Sequence, residues 1–68
     1  MIKIEICSLN EKKSGIQTKR HGDFLFWQMQ NKSVKCTLSH DKMFVFFEEE
    51  AEFEKFKSTW KKPFRRLY

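Results

Sequence analysis

Three isoleucines, Ile2, Ile4 and Ile6, alternate with Lys3, Glu5 and Cys7 at the start of the chain. A period of two marks a strand with one buried face. That face needs a cover, and the sequence holds one plain candidate. Phe53, Phe56 and Trp60 recur at helical spacing, which makes one apolar stripe. Glu48, Glu49, Glu50, Glu52 and Glu54 lie in or just before its first turns, and the lysines come late. That order suits a helix dipole, whose positive end is the N-terminus. Glu52–Lys55 and Glu54–Lys57 are spaced as i,i+3 ion pairs. Pro63 cannot continue a helix and pushes Lys62 out of the helical region. A helix is therefore expected over about 49–61, with a basic tail over 62–68.

Between these two elements the sequence reads as further strands over about 16–20, 24–30, 34–38 and 43–47, after a first strand over 1–8. The stretch "LNEKKSG" reads as a polar turn in which Gly15 takes a difficult dihedral. "HGD", "NKS" and "SHDK" supply the other turns. In the segment 24–30, Phe24 and Phe26 fall on one parity and Leu25, Trp27 and Met29 on the other. A strand apolar on both faces is central, or uses one face for contact. The short "NKS" link predicts a hairpin with 34–38, where Val34, Cys36 and Leu38 alternate with Lys35 and Thr37. Residues 43–47 are again apolar on both faces.

The expected fold class is α+β: a four- to five-stranded antiparallel β-meander packed on one face by a single C-terminal α-helix. All 68 residues belong to one domain in this reading. A chain this short buries only about 60% of its unfolded surface, so the eleven aromatic residues, eight of them Phe, must supply most of the core. The sheet face without a helix meets water, a partner or a second copy of the chain, and a homodimer is one expected state.

Charge bears on partners. The net charge is +5, unevenly spread: residues 1–47 are basic, 48–56 carry five Glu and one Lys, and 57–68 carry five basic residues and no acid. A basic end favours an acidic partner. Lys12, Lys13, Lys19 and Arg20 cluster near the first turns, Lys35 lies on an outward strand face, and Arg65 and Arg66 sit in the tail. Trp27 and Tyr68 are the rings expected to stack on bases. Cations along a phosphate chain, with flat rings beneath the bases, are what single-stranded nucleic acid requires.

Catalytic and metal chemistries find less support. The glutamates fan around a helix start instead of converging on a cleft. Cys7, His21, Cys36 and His40 lack the close pairing of a zinc site. Cys36, His40 and Asp41 make a nominal nucleophile set, but no glycine-rich loop supplies an oxyanion hole. Gly15 and Gly22 are the only glycines, so there is no phosphate-cradling loop. No enzyme, cofactor or metal is expected. The N-terminus lacks the apolar region of a signal peptide, and no apolar run approaches the roughly 20 residues of a membrane span. Two cysteines cannot build a disulfide scaffold. These features predict a cytoplasmic protein with reduced thiols. Lysine outnumbers arginine eleven to three, a bias that fits the AT-rich coding of many bacteria and phages.

Over about residues 24–62, strands followed by one helix resemble the element order of the single-strand-binding coactivators and their microbial relatives. The resemblance implies a dimer that binds single strands on sheet surfaces, and it carries no site residue. The leading reading is thus a small basic, non-enzymatic protein that binds single-stranded DNA or RNA by electrostatic and stacking contacts. The alternative is a phage-type protein–protein interaction module that inhibits or modulates an acidic host protein.

Overall fold

In a computed structural model, which describes residues Met1–Tyr68, the isoleucine alternation forms β1 (Ile2–Glu5). Ile2 and Ile4 point inward, and Lys3 and Glu5 are half-buried on the opposite face. The elements that follow are α1 (Leu9–Lys13), α2 (Ile16–Gln30), β2 (Thr37–Leu38), β3 (Phe44–Phe47), α3 (Glu50–Thr59) and β4 (Arg65–Arg66). The four strands make one antiparallel sheet in the order β2-β3-β1-β4.

This overturns the meander with a single C-terminal helix. Two helices precede the β2–β3 hairpin, and the strands expected over 16–20 and 24–30 are one continuous helix, α2. The expected hairpin between 24–30 and 34–38 is replaced by β2 pairing with β3, Thr37 against Phe46 and Leu38 against Val45. With residues 24–30 helical, the element order shared with the single-strand-binding coactivators is lost. The actual order places β3 between β1 and β2, and β1 between β3 and β4. Each split pair is bridged by helix, which is the split β-α-β connection of ferredoxin-like sheets.

Local chemistry accounts for the helices. Ser8 and Glu11 form a capping box: the Ser8 N–H donates to Glu11 Oε1 at 2.9 Å, and the Glu11 N–H donates to Ser8 Oγ at 3.3 Å. Two orphan amides at the start of α1 are satisfied reciprocally. Gly15 ends that helix at φ 87°, in the left-handed region that glycine enters without a Cβ clash. In α2, Arg20, Phe24 and Trp27 fall at i, i+4 and i+7 and are all buried. No β-branched residue lies between positions 19 and 30, which favours helix over strand. α3 buries Phe53 and Phe56, with Trp60 as its C-cap. The expected ion pairs are present, Lys55–Glu52 at 3.6 Å and Lys57–Glu54 at 3.2 Å.

The core lies between the sheet and α2 plus α3. Ile2, Ile4, Val45 and Phe47 from the sheet meet Phe24, Trp27, Phe53, Phe56 and Trp60 from the helices. Phe56 is the hub, with ring centroids 5.0 Å from Trp27, 5.4 Å from Phe47, 5.3 Å from Trp60 and 5.4 Å from Phe64. The basic tail is not loose. Phe64 packs edge-on against Phe53 and Phe56, and β4 hydrogen-bonds along β1. The Lys3 N–H donates to the Tyr68 carbonyl at 2.8 Å, and the Leu67 N–H to the Lys3 carbonyl at 2.8 Å.

Candidate nucleic-acid interface

The sheet has one face without helices, and alternation decides what stands there. Because Val45 and Phe47 point inward, Phe44 and Phe46 point outward. The register sets Lys3 opposite Phe46 and Glu5 opposite Phe44 on the neighbouring strand. β4 brings Arg65 beside Glu5, 3.4 Å away in an ion pair. Tyr68 completes the face, 61% exposed.

Lys3 is the centre of this arrangement. Its Nζ lies 4.3 Å from the Phe44 ring centroid, 5.7 Å from that of Phe46 and 5.9 Å from that of Tyr68. These are cation–π distances. At the β2 edge, Lys35 and Thr37 share the margin of a recess with Phe46. A line of rings and cations therefore runs across the sheet from β4 to β2. Glu48 and Glu49, neither in an ion pair, border it where β3 leads into α3.

The residues expected from sequence to grip nucleic acid are divided by the fold. Arg65, Tyr68 and Lys35 lie on or beside the open face. Lys12 and Lys13 are exposed on the last turn of α1, and Lys19 is exposed on α2. Arg66 turns to the helix side of the sheet, where its guanidinium grips Glu50 at 2.9 and 3.3 Å and lies 4.9 Å from the Phe53 ring centroid.

Arg20 and Trp27 require correction. Arg20 is interior: Nη1 donates to the Ile6 carbonyl at 2.7 Å and the Pro63 carbonyl at 3.2 Å, and Nη2 pairs with Glu11 at 3.1 Å. It ties the end of β1, α1 and the approach to β4 together, so its charge is spent inside. Trp27 is a core ring whose Nε1 donates to Thr59 Oγ1 at 2.7 Å. Both side chains are buried and neither lies on the open face of the sheet. The residues missed were Lys3, Phe44 and Phe46. Their signal was the doubly apolar run 43–47: once Val45 and Phe47 are inward, Phe44 and Phe46 have no interior left.

The thiols are poor nucleophiles here. Burial pushes the Cys7 thiol up, and burial, aided by Glu52, pushes Cys36 up to about 11. Glu11 is held below the usual carboxylate range, first by the Ser8 N–H and further by Arg20 and the Ser8 hydroxyl. Asp41 is lowered by the hydroxyl of Ser39 and the amide of Met43, contacts that shape the β2–β3 turn. No three His, Cys, Asp or Glu side chains converge as a metal site. No helix is long and apolar enough to cross a membrane.

No known protein family, curated protein or solved structure matches the chain.

Proposed function

We propose that the protein binds single-stranded nucleic acid, without catalysis, across the open face of its sheet. One observation carries the reading: the Lys3 ammonium sits among the rings of Phe44, Phe46 and Tyr68 on a face no helix covers. Bases stack on exposed rings without regard to sequence, and each stacked base contributes about 1–3 kcal/mol. A four-stranded sheet with rings on its open face is a known platform for RNA bases, an analogy of architecture only, and here β3 alone of the two central strands carries the rings. Lys3 and Arg65 supply phosphate contacts between the rings, and Lys35 extends the path toward β2. Glu48 and Glu49 line the same recess as Lys35 and repel phosphate there, which keeps the backbone nearer Lys3 and Arg65.

The test is a titration of fluorescein-labelled single-stranded DNA and RNA, with a duplex control, at roughly 50 and 200 mM salt. Binding to single strands that weakens steeply with salt is expected. Phe46→Ala and Tyr68→Ala should each weaken it by about 1–3 kcal/mol, while Lys3→Gln should flatten the salt dependence. Tyr68 is exposed enough that its loss leaves folding intact. Absence of binding at low salt, or binding indifferent to all three substitutions, removes the proposal.

A further inference from the structure

α2 is apolar on two opposite sides. Phe24 and Trp27 face the core, while Leu25, Phe26 and Met29 face away and are 45%, 63% and 67% exposed. They follow Gly22 at i+3, i+4 and i+7, so they form one stripe. A stripe of three large apolar side chains left in water marks a contact surface. Beside it runs a groove of about 370 Å³, with Phe26, Trp27 and Trp60 along it and Asn31 and Thr59 supplying polar groups.

Charge identifies the occupant. Lys19 and Lys32 lie at the two ends of the stripe, and Lys61 and Lys62 line the groove. None of the four is in an ion pair, and Asp23 is the only acid lining the groove. A second copy fits badly. Antiparallel pairing of two α2 helices about Leu25 and Phe26 sets Lys19 against Lys32 of the other copy, and parallel pairing sets Lys19 against itself. Like charges in contact oppose both. A bilayer surface is flat and leaves the groove beside the stripe unfilled. We propose that this face of α2 docks an acidic amphipathic helix of another protein, its apolar side chains on Leu25, Phe26 and Met29 and its carboxylates on the four lysines. Helix-in-groove recognition uses this combination of apolar anchors and a charged rim.

The probe is a labelled helical peptide of roughly 18 residues, with Leu and Trp at i, i+3, i+4 and i+7 and Glu elsewhere. A second peptide replaces every Glu by Lys. The Glu peptide should bind at least tenfold tighter than the Lys peptide. The double variant F26S/M29S should lose at least tenfold in Glu-peptide affinity, and K61E/K62E should invert the preference. All four positions are exposed, and far-UV circular dichroism checks that both variants remain folded. Amide shift mapping on the unmodified chain should place the peptide on α2 and the α3 C-terminus. Equal affinity for the two peptides, or binding unmoved by F26S/M29S, overturns the proposal. So does self-association in sedimentation that F26S/M29S abolishes, which assigns the stripe to a second copy. Binding to anionic vesicles that the same pair abolishes, with no peptide bound, assigns it to a membrane and overturns it equally.

Discussion

Inner and outer surfaces of the same elements are built here from much the same residue types. On β3, Phe47 is fully buried and Phe46, one position earlier, is only partly covered on the other face. On α2, Trp27 is in the core and Phe26 is in water. Among the arginines, Arg20 is interior and Arg65 lies on the open face. Residue type alone does not say which of these holds the fold and which is free for a partner. Phase does: parity within a strand, angle around a helix, and what lies across from each.

The largest expected effect breaks the inner set. Phe56 touches four rings and is fully buried. Phe56→Ala should cost about 3–5 kcal/mol. A chain of this size holds only about 3–10 kcal/mol in total, so urea denaturation should find the variant wholly or partly unfolded. Phe46→Ala on the outer face should cost less, about 1–2 kcal/mol, because part of its surface was never removed from water. Equal losses at the two positions would erase the distinction between the faces.

Arginines give the next contrast. Arg20→Leu strands the carbonyls of Ile6 and Pro63 and leaves Glu11 without its cation. An unsatisfied buried acceptor is expensive, and the total should be about 2–4 kcal/mol. Arg65→Ala removes only a solvent-screened pair with Glu5 and should change stability by less than about 0.5 kcal/mol. Acid titration probes the same staple. The Glu11 carboxylate is lowered in the folded state, so its contribution is complete above the unfolded value of about 4.3 and disappears as pH falls through the folded one. Stability should decline on acidification below about pH 4–5, and Glu11→Gln should flatten that decline while lowering stability at neutral pH. A Glu11→Gln chain with an unchanged acid slope would mean that other carboxylates govern it.

β1 and α3 were legible because each carries one periodicity, whereas β4, inside the stretch read as a basic tail, was not. Ile2, Ile4 and Ile6 have a single alternation, and Phe53, Phe56 and Trp60 have a single helical stripe. The middle carries two patterns superposed. In α2 the inward set at 20, 24 and 27 is overlaid by the outward set at 25, 26 and 29. Together they fill both parities, which is how a buried strand looks. The capping box from Ser8 to Glu11 and the lack of β-branched residues after Thr18 were the cues that favoured helix. The site was half legible for the same reason. Arg65, Tyr68 and Lys35 stood out by composition, whereas Lys3, Phe44 and Phe46 depend on the register between β1 and β3, which no local pattern states.

The smallest expected effect bears most directly on that misread segment. Gly22 lies inside α2 with an ordinary backbone, and a Cβ built there meets nothing within 4 Å. Glycine in a helix interior is about 0.5–1 kcal/mol worse than alanine, because it has more conformational freedom to lose on folding. Gly22→Ala should therefore stabilise the protein by that amount and raise the melting temperature by roughly 2–8 °C. The sign decides between two backbones. If residues 21–23 were a turn between strands, alanine would gain nothing or would strain it. The chain would then have no helical phase to separate Trp27 within from Phe26 without. A rise in melting temperature supports one unbroken helix, and with it the opposed faces on which the outward stripe depends.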